Sequence, residues 1–238
     1  MQLNEYIATL TLQSVIDMEH RDTQFLVLEQ ARGCISKHNP HKELFVFLVL
    51  QCALVGFQVA GSWPLWWEEF SQKIQNDRAL LQTIKHNNID RWYQFLTTSR
   101  YNKRLYNNKR KRLEKFTDVY TDLTRNKSIL DYASDMSLLR QHLSTGMKQD
   151  THNKTMPFAI KMYGYAVRIV TNAFVPYPMD VVIPLDSRLR TIYQNQFPGH
   201  SDSDKSIIQH YQEIAEACGI PPLHLDAAIW IDYREKHS

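Results

Sequence analysis

Two short runs in this chain could do chemistry together. The first is Asn153-Lys154-Thr155-Met156-Pro157-Phe158, which reads as the opening of a helix with a lysine at its mouth. The second is Ile183-Pro184-Leu185-Asp186-Ser187-Arg188, with its carboxylate 32 residues further on. A helix dipole places partial positive charge at the N-terminus, so a cation is disfavoured there. That field, together with burial, favours a neutral amine, and a neutral amine is what a Schiff-base nucleophile requires. A nearby carboxylate can stabilise a developing cation and pass protons. Both residues also have ordinary readings. Lys154 can be an exposed lysine at a cost of roughly 0.3 kcal/mol, and Asp186 can be a helix N-cap worth about 1 kcal/mol. Lys161, seven residues into the same helix, competes as the functional amine. It ranks second because the dipole gives it no reason to be nucleophilic.

The elements that must position this pair are helical. Leu3–Met18 opens the fold. Asp22-Thr23 caps a helix over Gln24–Ser36, and the turn Lys37–His41 ends it. Leu44–Ala60 is apolar nearly all round, as a central helix is. Pro64 suits the start of a further helix, with Glu68 and Glu69 in an early turn and Ser62 or Trp63 near its cap. Helices are predicted over Arg78–His86, Asn88–Thr97, Lys103–Thr124 and Met136–Leu143. A turn over Ser144–Asn153 leads into the Lys154 helix, which runs to Ala173. Val175–Leu185 holds Pro176, Pro178 and Pro184 and is a loop. Asp186 then caps a helix to Gln196, Ser203 or Asp204 starts another to Cys218, and Gly219 ends it. Pro221-Pro222 opens a last helix over Leu223–Tyr233. No alternating run exceeds Val181–Ile183, so the fold class is all-α.

Composition narrows the function. The chain has 238 residues, 43% hydrophobic and 22% charged, ordinary values for a soluble domain. Seven glycines are too few for glycine-built phosphate loops. Cys34, Cys52 and Cys218 form no CxxC pair, cannot build a four-thiolate cluster, and read as buried thiols in a reduced cytoplasm. The N-terminus shows no signal peptide, and Leu44–Ala60, broken by Gln51 and Gln58, is a core helix rather than a membrane span. Arg100–Lys115 carries eight basic residues against one acid, Glu114. That run is either a solvated helix face or a patch for a polyanion.

Beyond these readings, five motifs in order resemble the archaeal GO glycosylase (AGOG) family, a branch of the helix-hairpin-helix DNA glycosylase superfamily. They are Arg21-Asp22-Thr23-Gln24-Phe25, Trp67-Glu68-Glu69-Phe70, Asn153 to Met162, Ile183 to Arg188, and Ile220 to Trp230. The resemblance implies two helical lobes with a cleft between them, one lobe over about 26–185 and the other combining 1–25 with 186–238. It implies excision of 8-oxoguanine and strand cleavage by β-elimination. Lys154 matches the lysine that attacks the sugar C1′, and Asp186 the aspartate that assists base loss. Trp67 and Trp230 match aromatic residues that sandwich the base, Phe158 a further pocket residue, and Gln24 and Asp226 polar groups on its edge. A flipped base costs a few kcal/mol to extrude, and stacking returns about 1–3 kcal/mol. Without the resemblance, Trp230 reads as a core anchor and Asp226 as a first-turn carboxylate; Trp63 and Trp66 pack in the core. The superfamily's hairpin offers backbone N–H groups to phosphates; here, over 144–153, Gly146 is its one glycine. No metal or organic cofactor is implied. The expected partner is double-stranded DNA containing 8-oxoguanine, with single strands as a second substrate, no membrane and a monomeric chain. The expected location is cytoplasmic and nucleoid-associated. The competing functions are a glycosylase for another damaged base and a non-catalytic helical DNA-binding protein.

Overall fold

The computed structural model describes residues 3–34, 39–60, 63–77 and 87–233. The expected helix over Arg78–His86, the Lys37–His38 part of the turn, and the cap at Ser62 lie outside the described residues, as does the side chain of Trp63. Among the described residues the secondary structure is helical, with no strand.

The chain opens with α1 (Leu3–Ala8) and α2 (Leu12–Glu19) rather than one element. The break is chemical. Thr11 Oγ1 accepts from the Ser14 N–H, and Ser14 Oγ accepts from the Thr11 N–H, a reciprocal capping box that starts a new helix. Asp22 caps α3 (Thr23–Ala31), which passes into a 3-10 turn over Arg32–Cys34. The central helix α4 (Asn39–Val55) starts earlier and stops five residues sooner than expected. α5 (Trp63–Asn76), α6 (Asn87–Thr98) and α7 (Tyr106–Leu123) follow. α7 begins late because Leu105, its N-cap, is left-handed at φ +54. A 3-10 turn over Ile129–Ser134 was not expected, although Ser128-x-x-Asp131 is a capping-box signature and acts as one.

α8 (Met136–Met147) runs four residues past its expected end. Ser144 and Gly146 are therefore helical, and the turn before Lys154 is shorter than 144–153. Gly146 is not a turn glycine: a Cβ there would meet Val119 Cγ2 at 2.6 Å, so it serves the α7–α8 packing. α9 (Thr155–Thr171) carries the site, and Asn172, at φ +56, ends it. α10 (Ser187–Gln196), α11 (Asp204–Cys218) and α12 (Pro222–Ala228) complete the fold, with a π-helical turn over Ile229–Tyr233.

Two hydrophobic clusters result. One gathers buried residues from Phe25 to Val181, with Leu223. The other gathers Leu3–Met18 with Ile183–Ile229. The chain passes between them near Asp22 and again near Pro184. No described helix is long and apolar enough to cross a membrane. Of the three thiols only Cys52 is buried; Cys34 and Cys218 are half-buried, contrary to the expectation for all three.

Candidate functional site

The crossing points frame a cleft of about 520 Å³. Its lining includes Gln24, Lys154, Phe158, Asp186, Asp226 and Trp230, six of the seven residues singled out from the sequence. Arg21, Asp22, Thr23, Pro64, Lys161, Pro184 and Ile231 complete it.

At the rim, Lys154 is the N-cap of α9 and is exposed. The expected desolvation of its amine is not present. Pro157, the third residue of α9, sits where a missing N–H costs nothing. Asp186 caps α10: its Oδ1 accepts from the N–H groups of Arg188 and Leu189, both at 2.9 Å. Oδ2 has no hydrogen-bond partner among the described residues. Thus Asp186 is both the cap that a bare sequence suggests and a carboxylate on the cleft wall.

Phe158 and Trp230 give the cleft two aromatic walls, both half-buried. Trp230 lies on the π-helical turn, a distortion that often marks functional positions. The Arg188 guanidinium lies 3.9 Å from the Trp230 ring centroid and fixes the indole plane. Trp67 does not join them. It is fully buried and stands behind Phe158, with ring centroids 6.2 Å apart, packed edge-on against Phe70. Expected as a face of the sandwich, Trp67 is here a buried layer next to Phe158 and not part of the cleft lining, as Trp66 beside it on α5 is also buried.

The floor is charged and buried. Lys161 Nζ donates to Asp226 Oδ2 at 2.7 Å and lies 3.3 Å from Asp22 Oδ2. Asp22 Oδ2 also accepts from the Tyr165 hydroxyl at 2.9 Å, while Oδ1 caps Gln24. Burial alone would push the Lys161 ammonium down, but Asp226 and Asp22 outweigh it and raise it. Lys161 is therefore held protonated and has no lone pair to attack with. Burial pushes the Asp226 carboxyl up, against the pull of Lys161. Asp226, expected as a polar group on the base edge, lines the cleft and is held in an ion pair with Lys161.

Behind this floor, Glu19 binds Arg168 at 2.6 Å and His224 Nδ1 at 2.9 Å. His224 Nε2 accepts from the Tyr177 N–H at 3.2 Å, which assigns the proton on Nδ1 to Glu19. Burial works against the Glu19 carboxylate, yet the His224 hydrogen bond and the Arg168 charge prevail and hold it below the usual range. Tyr177 also donates to the Lys161 carbonyl at 2.7 Å. Its ring crosses α9 at Gly164, where a Cβ would come within 2.3 Å of it. The proline-bearing loop that delivers Asp186 is fastened to the Lys154 helix in this way. Sequence reasoning missed this network. The available signal was Lys161, Tyr165 and Arg168, spaced four and three apart on an otherwise apolar helix, hence on one face.

Comparison with known proteins identifies the family and the fold. The AGOG family model, described as N-glycosylase/DNA lyase, matches residues 4–237. The N-glycosylase/DNA lyase of Methanococcus maripaludis is 37% identical over 215 residues, covering 89% of this chain and 78% of that protein. That of Methanopyrus kandleri is 31% identical over 232 residues, covering 97% and 88%. The fold matches the crystal structure of Pa-AGOG, the 8-oxoguanine DNA glycosylase from Pyrobaculum aerophilum, complexed with 8-oxoguanosine. The TM-score is 0.77 at 22% identity, covering 95% of this chain and 84% of that one. With five sequence motifs in order, an all-helical fold of the same kind and a family model spanning nearly its whole length, this chain belongs to the AGOG family of N-glycosylase/DNA lyases.

Proposed function

We propose that this protein excises 8-oxoguanine from DNA through a covalent intermediate on Lys154 and then cleaves the strand. The two hydrophobic cores are taken as the two lobes, with the lesion base flipped into the cleft between them. The observation that carries the reading is the division of the cleft: an exposed amine and a carboxylate at its rim, and aromatic walls over a charge-paired floor. Lys154 Nζ forms a bond to C1′ as the C1′–N bond breaks, and the electron pair leaves with the base, which takes up a proton. Opening of the sugar ring gives the imine. Loss of a C2′ proton then expels the 3′ phosphate. Asp186 stabilises the positive charge that develops on the sugar, with its Oδ1 held still by α10.

Phe158 and Trp230 hold the base by stacking, with Trp67 backing Phe158. Gln24 reads the base edge, and Asp226 reads it from its pair with Lys161. The partner is duplex DNA, one chain per lesion, in the cytoplasm with the nucleoid. The test is single-turnover excision on duplexes carrying 8-oxoguanine, guanine or another damaged base at one position. The proposal expects release from the 8-oxoguanine duplex above all others, and a loss of roughly tenfold in affinity with Trp230→Ala, within the range of one lost stacking partner. Equal release from another damaged base would overturn the substrate assignment, and full activity of Trp230→Ala would remove that wall.

A further inference from the structure

The turn before Lys154 has committed most of its N–H groups internally, with those of Asp150, Thr151 and Lys154 left over among the described residues. The N–H of Lys148 bonds to Thr145, and that of Gln149 to Ser144. The His152 N–H bonds to Asp150 Oδ1 at 2.7 Å, and the Asn153 N–H to the Asp150 carbonyl. Thr155 and Met156 both donate to Asn153, and Pro157 has no N–H. Two side-chain-capped turns, at Asp150 and Asn153, thus stand where glycines would leave amides open. The tip also carries a negative charge, since the His152 N–H holds the Asp150 carboxyl below the usual range. A DNA phosphate is poorly served at that tip.

One helix away the balance reverses. The basic run of α7 divides into two sets. Lys109 is buried against Asn102, and Arg110 pairs with Asp90 and Glu114, each at 2.9 Å. Arg112 and Lys115, one turn apart, instead reach across to the end of α8. Arg112 Nη2 donates to Gln149 Oε1 at 2.7 Å, and Lys115 Nζ to the Met147 carbonyl at 2.6 Å. Lys148, between those two contacts, is exposed and left-handed at φ +53. Arg112, Lys115 and Lys148 have no carboxylate partner among the described residues. Burial, and then the charges of Lys148 and Arg112, push the Lys115 ammonium down. Arg112 Nε is buried with no hydrogen-bond partner among the described residues. Three cations crowd one edge, Arg112 also lying 5.7 Å from the Phe57 ring centroid, with no carboxylate opposite them among the described residues, and each keeps donors to spare.

We propose that Arg112, Lys115 and Lys148 form a binding site for a DNA backbone phosphate, supplying with side chains contacts for which the turn has few N–H groups left. The proposal rests on the reading above that the protein acts on DNA. Lys148 and Lys115 anchor the strand beside the helix that presents Lys154.

The test is binding of the full-length protein to a duplex with a tetrahydrofuran abasic analogue, by fluorescence anisotropy over a series of KCl concentrations. Lys148→Asn removes charge and tolerates the left-handed backbone. Lys115→Gln removes charge and keeps a donor for the Met147 carbonyl. Each is expected to weaken binding at low salt and to lower the slope of log affinity against log salt by about 0.9, one phosphate contact. Lys111→Gln, exposed at the neighbouring position of α7, is expected to leave the slope at the wild-type value. Unchanged slopes in both test variants would make Arg112 and Lys115 a brace only and overturn the site. An equal loss with Lys111→Gln would overturn it in favour of a diffuse basic field. Absence of any saturable binding by the wild type would instead sink the functional reading itself.

Discussion

Helix α9 carries two lysines seven residues apart, and they live in different worlds. Lys154 stands at the helix mouth, exposed, with no ion pair among the described residues. Lys161 is 2% exposed and clasped by two carboxylates. The same side chain is the proposed nucleophile in one place and a buried, ion-paired cation in the other. The difference is made by what surrounds it, since a proton held by Asp226 and Asp22 cannot be given up to free a lone pair. The rim lysine is exposed, whereas the floor is closed and charge-paired.

The comparison breaks most sharply at Lys154. Lys154→Gln should lower single-turnover excision of 8-oxoguanine by at least about a thousandfold, since among the described residues the other lysine lining the cleft, Lys161, is held in ion pairs. Its circular dichroism and melting should match the wild type. Lys161→Met should do the opposite. It strands two buried carboxylates, and urea unfolding at pH 7 should show a loss of about 4 kcal/mol.

Glu19→Gln probes the deeper half of the floor. It should cost about 3 kcal/mol at pH 7. The sign with pH follows from a folded carboxyl held below its unfolded value of roughly 4.3. The stabilisation is present above that value and disappears as pH falls through the lower folded one. Denaturant midpoints of wild type and variant should therefore converge below about pH 4. A gap that stays constant to pH 2 would mean the Glu19 carboxylate is not what Arg168 and His224 hold.

Asp186→Asn sharpens the rim. Asparagine caps helices about as well as aspartate, so stability should move by less than about 0.5 kcal/mol. Excision should fall by about a hundredfold, the scale of one lost electrostatic or acid–base partner. A large loss of stability with normal excision would reduce Asp186 to a cap.

Much of this was legible in the sequence, and the reasons are local. Asp22 and Asp186 announced helix starts because a short acceptor side chain before a helix has one good use. Lys154 stood out because a cation at a helix mouth is in the wrong field. Depth was not legible. Nothing in Trp66-Trp67 tells which indole meets the cleft, and here both turn away from it. The basic run of α7 looked like one surface, yet Lys109 lies buried among its exposed neighbours, because long aliphatic stems can be packed and charges paired across helices. The Glu19–Arg168–His224 contact joins residues 149 and 205 positions apart, which no local pattern reports.

Reductive trapping tests the central claim most directly. Wild-type protein is incubated with a duplex carrying 8-oxoguanine in the presence of borohydride, and the adduct is mapped by peptide mass. The account predicts one covalent adduct on Lys154, still formed by folded Lys161→Met and absent from Lys154→Gln. An adduct that maps to Lys161, or that survives undiminished in Lys154→Gln, would contradict it.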